Sequence, residues 1–130
     1  VMGYENRRPT PEELGQMQAL LAESMDAGAL GLSFGLIYPP GSYAETEELI
    51  ALARTAAEKG GLFTVHMRSE SAGLGEATME MLRVAEESGC RCVISHHKAT
   101  GGVFNWNKMG GGPARRRDPF PDGAGGGPGL

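Results

Sequence analysis

The stretch that decides the fold is Gly60-Gly61-Leu62-Phe63-Thr64-Val65-His66, two glycines followed by a short apolar run that ends in a histidine. Such a run next to turn formers is typical of a buried β-strand. A second run, Cys92-Val93-Ile94-Ser95-His96, follows thirty positions later and also ends in a histidine. Parallel strands joined by a helix end on the same side of a sheet. We therefore expect His66 and His96 to converge at the face where α/β proteins carry their sites.

The residues around these two runs repeat an alternation of helix and strand. Thr10 and Glu13 predict a capping box at the start of a first helix, which Gly28 ends. Further helices are predicted over 46–59 and 75–88, the last with Met79, Leu82 and Val84 turned inward, and strands over 29–33, 62–66 and 91–96. This order predicts an α/β fold with a parallel sheet. A closed (β/α)₈ barrel needs ~250 residues, so about three helix–strand units predict either a small open domain or part of a barrel.

The last part of the chain has a different composition. Residues 110–130 contain eight Gly and four Pro, with Arg115-Arg116-Arg117 among them, and show no helical or strand period. Such a segment cannot bury enough apolar surface to offset its ordering entropy. We expect residues 109–130 to be a disordered tail that follows a domain of residues 1–108. The abrupt change of composition favours a shifted reading frame as the origin of this tail.

Composition and charge exclude several classes of protein. The formal net charge of −4 gives no electrostatic case for nucleic-acid binding. No apolar run approaches the ~20 residues needed to cross a membrane, and Val1-Met2-Gly3-Tyr4-Glu5 lacks the basic and apolar regions of a signal peptide. Two cysteines are too few for a disulfide framework. We expect a cytoplasmic protein with no membrane or nucleic-acid partner.

The strand-end histidines are candidates for a metal site because imidazole is the commonest protein ligand of zinc. Alternation along a strand sends His97 to the opposite face, so His96 is the predicted ligand and His97 a structural neighbour or a partner of the ligand. Lys98 returns to the side of His96, where its charge suits a substrate carboxylate. Cys92 lies ~13 Å before His96 at ~3.3 Å per residue. Cys90 and Cys92 are therefore expected to be buried and not bound to metal.

The loop after the first predicted strand leaves the sheet on this same face. Its sequence is Ser33-Phe34-Gly35-Leu36-Ile37-Tyr38-Pro39-Pro40-Gly41, and its glycines allow close approach of the backbone to a ligand. Tyr38 either hydrogen-bonds a carbonyl oxygen of a ligand or packs against the fold. The spacing alone does not separate these two roles.

Several longer strings resemble one enzyme family. The string from Gly28 to Ala44, with Thr46-Glu47-Glu48-Leu49, His66-Met67-Arg68-Ser69-Glu70 and Ser95-His96-His97-Lys98, resembles the N-acyl-D-amino-acid deacylases (D-aminoacylases) of the amidohydrolase superfamily. Asn105-Trp106 follows at a fitting distance, and the resemblance covers about residues 1–108. It implies that the chain is part of a zinc-dependent TIM (β/α)₈ barrel. The implied reaction is hydrolysis of the amide of an N-acyl-D-amino acid to a D-amino acid and a carboxylate.

The resemblance also implies roles for individual residues. His66 and His96 match the Zn²⁺ ligands on the fifth and sixth strands, and Lys98 matches a contact to the substrate carboxylate. Tyr38 and Arg68 match residues of the pocket. In such a mechanism zinc lowers the pKa of bound water and polarises the scissile carbonyl, and a carboxylate passes a proton to the leaving amine.

Other residues of the family's site have no counterpart in this sequence. A His-x-His on the first strand and a metal-binding cysteine are expected before residue 1, and the catalytic aspartate is expected after residue 130. We therefore expect the 130-residue chain to be inactive by itself. The expected partner is a small-molecule N-acyl-D-amino acid.

Two other functions stay open at this point. One is a different amidohydrolase, such as a dihydroorotase-like or hydantoinase-like ring opener. The other is a non-catalytic metal-binding or interaction fragment. The loop over 33–44 and the string Ser95-His96-His97-Lys98 favour the deacylase.

Overall fold

A computed structural model describes residues 1–100, and the predictions for residues 101–130, including Asn105-Trp106 and the Gly/Pro-rich tail, lie outside this range. The elements in chain order are α1 (Pro11–Asp26), β1 (Gly31–Gly35), the short 3₁₀ helix α2 (Gly41–Tyr43), α3 (Thr46–Glu58), β2 (Leu62–His66), α4 (Leu74–Ser88) and β3 (Arg91–Ile94). Within this range, no helix is both long enough and apolar enough to cross a membrane. The predicted alternation of helix and strand is confirmed.

The three strands form one parallel sheet in the order β1-β2-β3. In the register, Gly35 pairs with His66, and Val65 pairs with Ile94. Phe63 and Val65 of the central strand are fully buried. The carboxyl ends of all three strands therefore lie along one edge of the sheet, as the sequence predicted.

The helices form a second layer whose centre is α3. This helix packs against α1 on one side and α4 on the other, and it contacts β1 and β2. Its buried residues are Leu49, Ile50, Leu52, Ala53, Thr55 and Ala56, which follow the helical period and bury an apolar stripe. The capping box of Thr10 and Glu13 at the start of α1 is present as predicted.

Two predicted strand bounds were wrong. The strand predicted over 29–33 spans 31–35, because the amide of Ala29 still donates to the carbonyl of Ser24 in the last turn of α1. The strand predicted over 91–96 ends at Ile94. The amide of Ser95 donates to the carbonyl of Val65, and His96 then has a φ of +38°, which turns the chain away from the strand direction.

The predicted inner face of α4 was also partly wrong. Val84 is fully buried, but Met79 is 64% exposed and Leu82 is 54% exposed. The buried residues are Leu74, Ala77, Met81, Val84 and Ser88, which follow one another at intervals of three and four. Two small residues complete this stripe, so a choice based on large apolar side chains selected the wrong face.

Candidate metal centre

The two strand-end histidines meet at the carboxyl edge of the sheet. Nδ1 of His66 lies 2.9 Å from Nε2 of His96, and the ring centroids are 4.4 Å apart. The His66 side chain is 21% exposed and the His96 side chain 45% exposed, so both rings are accessible from solvent. The expected convergence of His66 and His96 is confirmed, although His96 follows its strand and does not belong to it.

Glu70 is a third member of this cluster. It lies in the segment between β2 and α4 and is one of three buried polar or charged residues in residues 1–100. Its Oε1 is 2.6 Å from Nδ1 of His96 and 3.8 Å from Nε2 of His66. Ligand atoms of His66, Glu70 and His96 all lie within 4.8 Å of one another. Glu70 has no predicted role, because an acidic residue four positions after a strand end is unremarkable by spacing alone.

Lys98 joins the cluster through the same carboxylate. Its Nζ lies 2.5 Å from Oε2 of Glu70 and 3.3 Å from Nδ1 of His96. The hydrogen bond from Lys98 lowers the pKa of the Glu70 carboxyl, with a further contribution from His96, although burial acts in the opposite direction. Glu70 is therefore an anion that faces the Lys98 ammonium and a ring nitrogen of His96. The prediction that Lys98 returns to the side of His96 is confirmed, and its contact with a substrate stays a prediction.

Tyr38 lies beside the histidine pair. The centroid of its ring is 5.4 Å from that of His66, and the residue is 62% exposed. The loop that carries it closes tightly, since a Cβ on Gly41 would come 2.4 Å from the carbonyl oxygen of Gly35. Tyr38 is therefore placed at the mouth of the cluster, and a role in substrate binding stays a prediction.

The contacts of Arg68 within the described residues are with the loop after β1 and with α4. Its Nη1 donates to the carbonyl of Ser42 at 2.9 Å, and Nη2 donates to the carbonyl of Ala44. Its Nε lies 3.0 Å from Oε2 of Glu80. The guanidinium thus joins two neighbouring loops, and the predicted contact with substrate stays a prediction.

The remaining candidates lie away from the cluster. Nε2 of His97 is 3.2 Å from the hydroxyl of Thr78 in α4, which fits the predicted structural role. Cys92 pairs in register with Phe63, three residues before His66. Burial raises the pKa of the Cys92 thiol to about 11 and also raises that of Cys90. Protonated thiols do not bind zinc, so the expectation that these cysteines are not ligands agrees with their environment.

The donor set suits a divalent metal ion with nitrogen ligands. Zinc–nitrogen bonds of ~2.0–2.1 Å in a tetrahedral site place two ligand nitrogens about 3.3–3.4 Å apart. The 2.9 Å between Nδ1 of His66 and Nε2 of His96 is about 0.4–0.5 Å shorter than that edge, so a small movement of the rings would admit the ion. Without a metal, the same contact is an ordinary hydrogen bond in which one imidazole nitrogen donates and the other accepts. The Glu70 carboxylate adds a third possible ligand within 4.8 Å of both nitrogens. The residues present therefore fit a zinc ion.

Comparison with known proteins supports a relation to deacylases. No family model matches the chain. The chain is 44% identical over 101 residues to an N-acyl-D-glutamate deacylase from Alcaligenes xylosoxydans xylosoxydans. This similarity covers 78% of the chain but 20% of the relative. The chain thus spans about one fifth of the length of that relative.

Two solved structures have the same arrangement of elements. A D-aminoacylase whose binuclear metal centre has been studied matches with a TM-score of 0.75 at 38% identity, over 81% of this chain and 22% of that one. The N-acyl-D-glutamate deacylase of Bordetella bronchiseptica, complexed with zinc and a phosphonate mimic of the tetrahedral intermediate, matches with a TM-score of 0.70 at 43% identity. This second match covers 73% of this chain and 20% of that one. The chain is thus homologous to part of the N-acyl-D-amino-acid deacylases (D-aminoacylases), and it spans about a fifth of the length of the relatives that it matches.

Proposed function

We propose that this chain supplies two zinc ligands, His66 and His96, to a site that hydrolyses the amide bond of N-acyl-D-amino acids. The observation that carries the proposal is the 2.9 Å contact between Nδ1 of His66 and Nε2 of His96 at the carboxyl edge of a parallel sheet. That edge is where α/β enzymes place their catalytic groups. Zinc in a relative complexed with a reaction-intermediate mimic supports the choice of metal.

The proposed architecture is part of a TIM (β/α)₈ barrel. The sheet is parallel, its strands follow one another in chain order, and a helix links each strand to the next. The three strands within residues 1–100 cannot close on themselves, and a barrel of this class has eight. The similarity to about a fifth of a D-aminoacylase chain supports this architecture. We infer that the catalytic aspartate and the other zinc ligands belong to sequence outside these 130 residues, and that the chain does not turn over substrate by itself.

The residues of this chain would have distinct tasks in the reaction. When bound, zinc supplies a Lewis acid that polarises the scissile carbonyl and acidifies water. Lys98 carries an ammonium group with three donors, of which Glu70 occupies one. The other donors can hold the carboxylate of an N-acyl-D-amino acid. Tyr38, beside His66, would donate to the acyl oxygen, and Arg68 would hold the loop that carries Tyr38.

The test is a chimera in which the matching segment of the Alcaligenes N-acyl-D-glutamate deacylase is replaced by this chain's homologous residues. We expect the chimera to bind zinc and to hydrolyse N-acyl-D-glutamate but not its L enantiomer. His66→Ala and His96→Ala should each remove zinc and turnover together. His97→Ala is the matched control, because it removes an adjacent imidazole that contacts Thr78, and it should retain zinc.

The 130-residue chain provides a second arm of this test. It should bind zinc weakly through the same histidines and show no turnover above a His66→Ala control. Turnover by the short chain would overturn the inference that catalytic residues lie elsewhere. A chimera that folds and hydrolyses substrate equally well without His66 and His96 would overturn the ligand assignment. Binding of zinc without hydrolysis in the chimera would favour a non-catalytic metal-binding role.

A further inference from the structure

The Lys98 ammonium and the Glu70 carboxylate form a close ion pair at the carboxyl edge of the sheet. Nζ of Lys98 lies 2.5 Å from Oε2 of Glu70. We propose that Glu70 is the positioning residue for Lys98, because it holds the ammonium group where a remaining proton can bind the substrate carboxylate. The inference rests on the proposed function, in which Lys98 contacts that carboxylate, and it extends this function by giving Glu70 a task.

Lys98 needs a partner to define its position. It lies in the segment after β3, which ends at Ile94, and its side chain is 50% exposed. A lysine side chain is long and flexible, and it loses rotamer entropy when it is held in one conformation. Unless a rigid partner selects one conformation, the ammonium charge is spread over many positions. The direction in which Lys98 presents its protons therefore depends on that partner.

Glu70 is a partner of the required kind. Its side chain is 10% exposed, so the carboxylate has little freedom to move. Its backbone carbonyl accepts from the amide of Thr100 at 2.5 Å and from the hydroxyl of Thr100 at 2.8 Å. Thr100 follows Lys98 by two positions. Glu70 thus holds the segment after β3 at two points, through its backbone and through its side chain, as a residue that positions another must.

The ring of His96 is a second fixed group beside the ammonium. Nζ of Lys98 lies 3.3 Å from Nδ1 of His96, where an ammonium group can only donate. Within residues 1–100, Glu70 and His96 are the acceptors that Nζ reaches. An ammonium group has three protons, so one is left for a carboxylate that arrives from solvent. The two contacts fix Nζ next to the histidine pair.

The charge of Glu70 can affect substrate binding in two opposite ways, and the sign of the effect separates them. If Glu70 positions the ammonium, its removal releases Lys98 and weakens carboxylate binding. If Glu70 only offsets the charge of Lys98, its removal strengthens carboxylate binding. The burial of the two side chains favours positioning, because Glu70 lies on the buried side of the ammonium and the substrate approaches from the exposed side.

The experiment uses the chimera with the Alcaligenes deacylase and N-acetyl-D-glutamate as the substrate. For Glu70→Gln we expect KM to rise about tenfold and kcat to change less than about twofold, because a contact made equally in the ground and transition states affects KM alone. In a Lys98→Met background, Glu70→Gln should not raise KM further. Asp26→Asn is the matched control, because Asp26 also pairs with a lysine, Lys59, at 2.7 Å but at the end of α1. It should leave KM and kcat unchanged.

The 130-residue chain labelled with ¹⁵N gives a second readout that needs no turnover. The NMR order parameter of the Lys98 ammonium reports how firmly it is held. It should exceed that of Lys59, whose partner Asp26 is 65% exposed. In Glu70→Gln it should fall to the level of Lys59, whereas in Asp26→Asn it should stay as in the wild type.

Each remaining outcome contradicts a defined part of the reasoning. An unchanged or lower KM in Glu70→Gln overturns the positioning role. Loss of zinc and of kcat with KM unchanged also overturns it and assigns Glu70 to the metal site. If Glu70→Gln does not fold, a wild-type Lys98 ammonium no more ordered than that of Lys59 overturns the inference by itself. If Lys98→Met leaves KM unchanged, the substrate contact in the proposed function is wrong, while the order parameter still tests whether Glu70 holds Lys98.

Discussion

Replacement of Arg68 should cost more stability than its partial exposure suggests. Its guanidinium makes hydrogen bonds to the carbonyls of Ser42 and Ala44 and an ion pair with Glu80, in which the side chains are 29% and 13% exposed. Hydrogen bonds to charged groups contribute about 1.5–3 kcal/mol each, and partial solvation favours the lower end. Arg68→Met leaves a largely buried carboxylate without its cation. We expect a loss of about 3 kcal/mol in the free energy of unfolding.

A double-mutant cycle isolates the ion pair within this loss. Glu80→Gln should cost about 1–2 kcal/mol, and the double variant should cost less than the sum, with a coupling energy of about 1–2 kcal/mol. Urea unfolding of the 130-residue chain, followed by circular dichroism, gives all four values. Arg83→Met is the matched control, because Arg83 pairs with Glu47 and Glu87, which are 67% and 46% exposed, and it should cost at most about 1 kcal/mol.

The cycle also bears on the predicted role of Arg68 in substrate binding. One outcome is that Arg68→Met lowers the free energy of unfolding no more than Arg83→Met does and shows no coupling to Glu80. In that case Arg68 does not stabilise the fold by joining the loop after β1 to α4, and its guanidinium is available to another partner. If the coupling is present, a change in KM of the chimera that exceeds the change for Glu80→Gln would show an additional contact with substrate. The two results together separate a brace from a ligand-binding residue.

The remaining predictions concern two Gly→Ala substitutions and the pH dependence of stability. Gly31→Ala places a Cβ 2.0 Å from the carbonyl oxygen of Leu62 on the paired strand and should destabilise the chain by about 1–3 kcal/mol. A Cβ on Gly15 in α1 would meet no atom outside its own helix within 4 Å, so Gly15→Ala should stabilise the chain by about 0.5–1 kcal/mol. If the two variants shift the thermal unfolding temperature equally, the register of β1 with β2 is wrong. The hydrogen bond from Arg7 lowers the pKa of Glu13 from 4.5 to about 2. The stabilisation by ionised Glu13 is therefore complete above pH 4.5 and lost as the pH falls toward 2, so Glu13→Gln should show a weaker pH dependence of stability in this range; parallel curves would contradict this assignment.

Local signals in the sequence were sufficient to predict the elements and the histidine pair. The strand 62–66 and its terminal histidine were correct, because Gly60-Gly61 marks its start and an apolar run defines its length. The capping box at Thr10 was correct for the same kind of reason, since both of its hydrogen bonds are local. The convergence of His66 and His96 followed from a general rule of parallel sheets and needed no knowledge of the packing.

Features that depend on tertiary contacts were not predictable in this way. The strand 91–96 was predicted too long because the turn at His96, with its φ of +38°, has no signal in Ser95-His96-His97. The place of Glu70 in the cluster was missed because its neighbours, His96 and Lys98, lie 26 and 28 residues further along the chain. Only the pairing of β2 with β3 brings these groups together, so the chemistry of the site is a property of the packing as much as of the motif.

The candidate site is held in place by contacts between loops as well as by the strands. Arg68, in the loop after β2, binds the backbone of Ser42 in the loop after β1. Glu70, two residues later, binds Thr100 in the segment after β3 through its own backbone. The loop after β2 thus ties all three strand ends together, with Arg68 on one side and Glu70 on the other. Because this loop directly follows His66, any change that loosens it should displace His66 relative to His96.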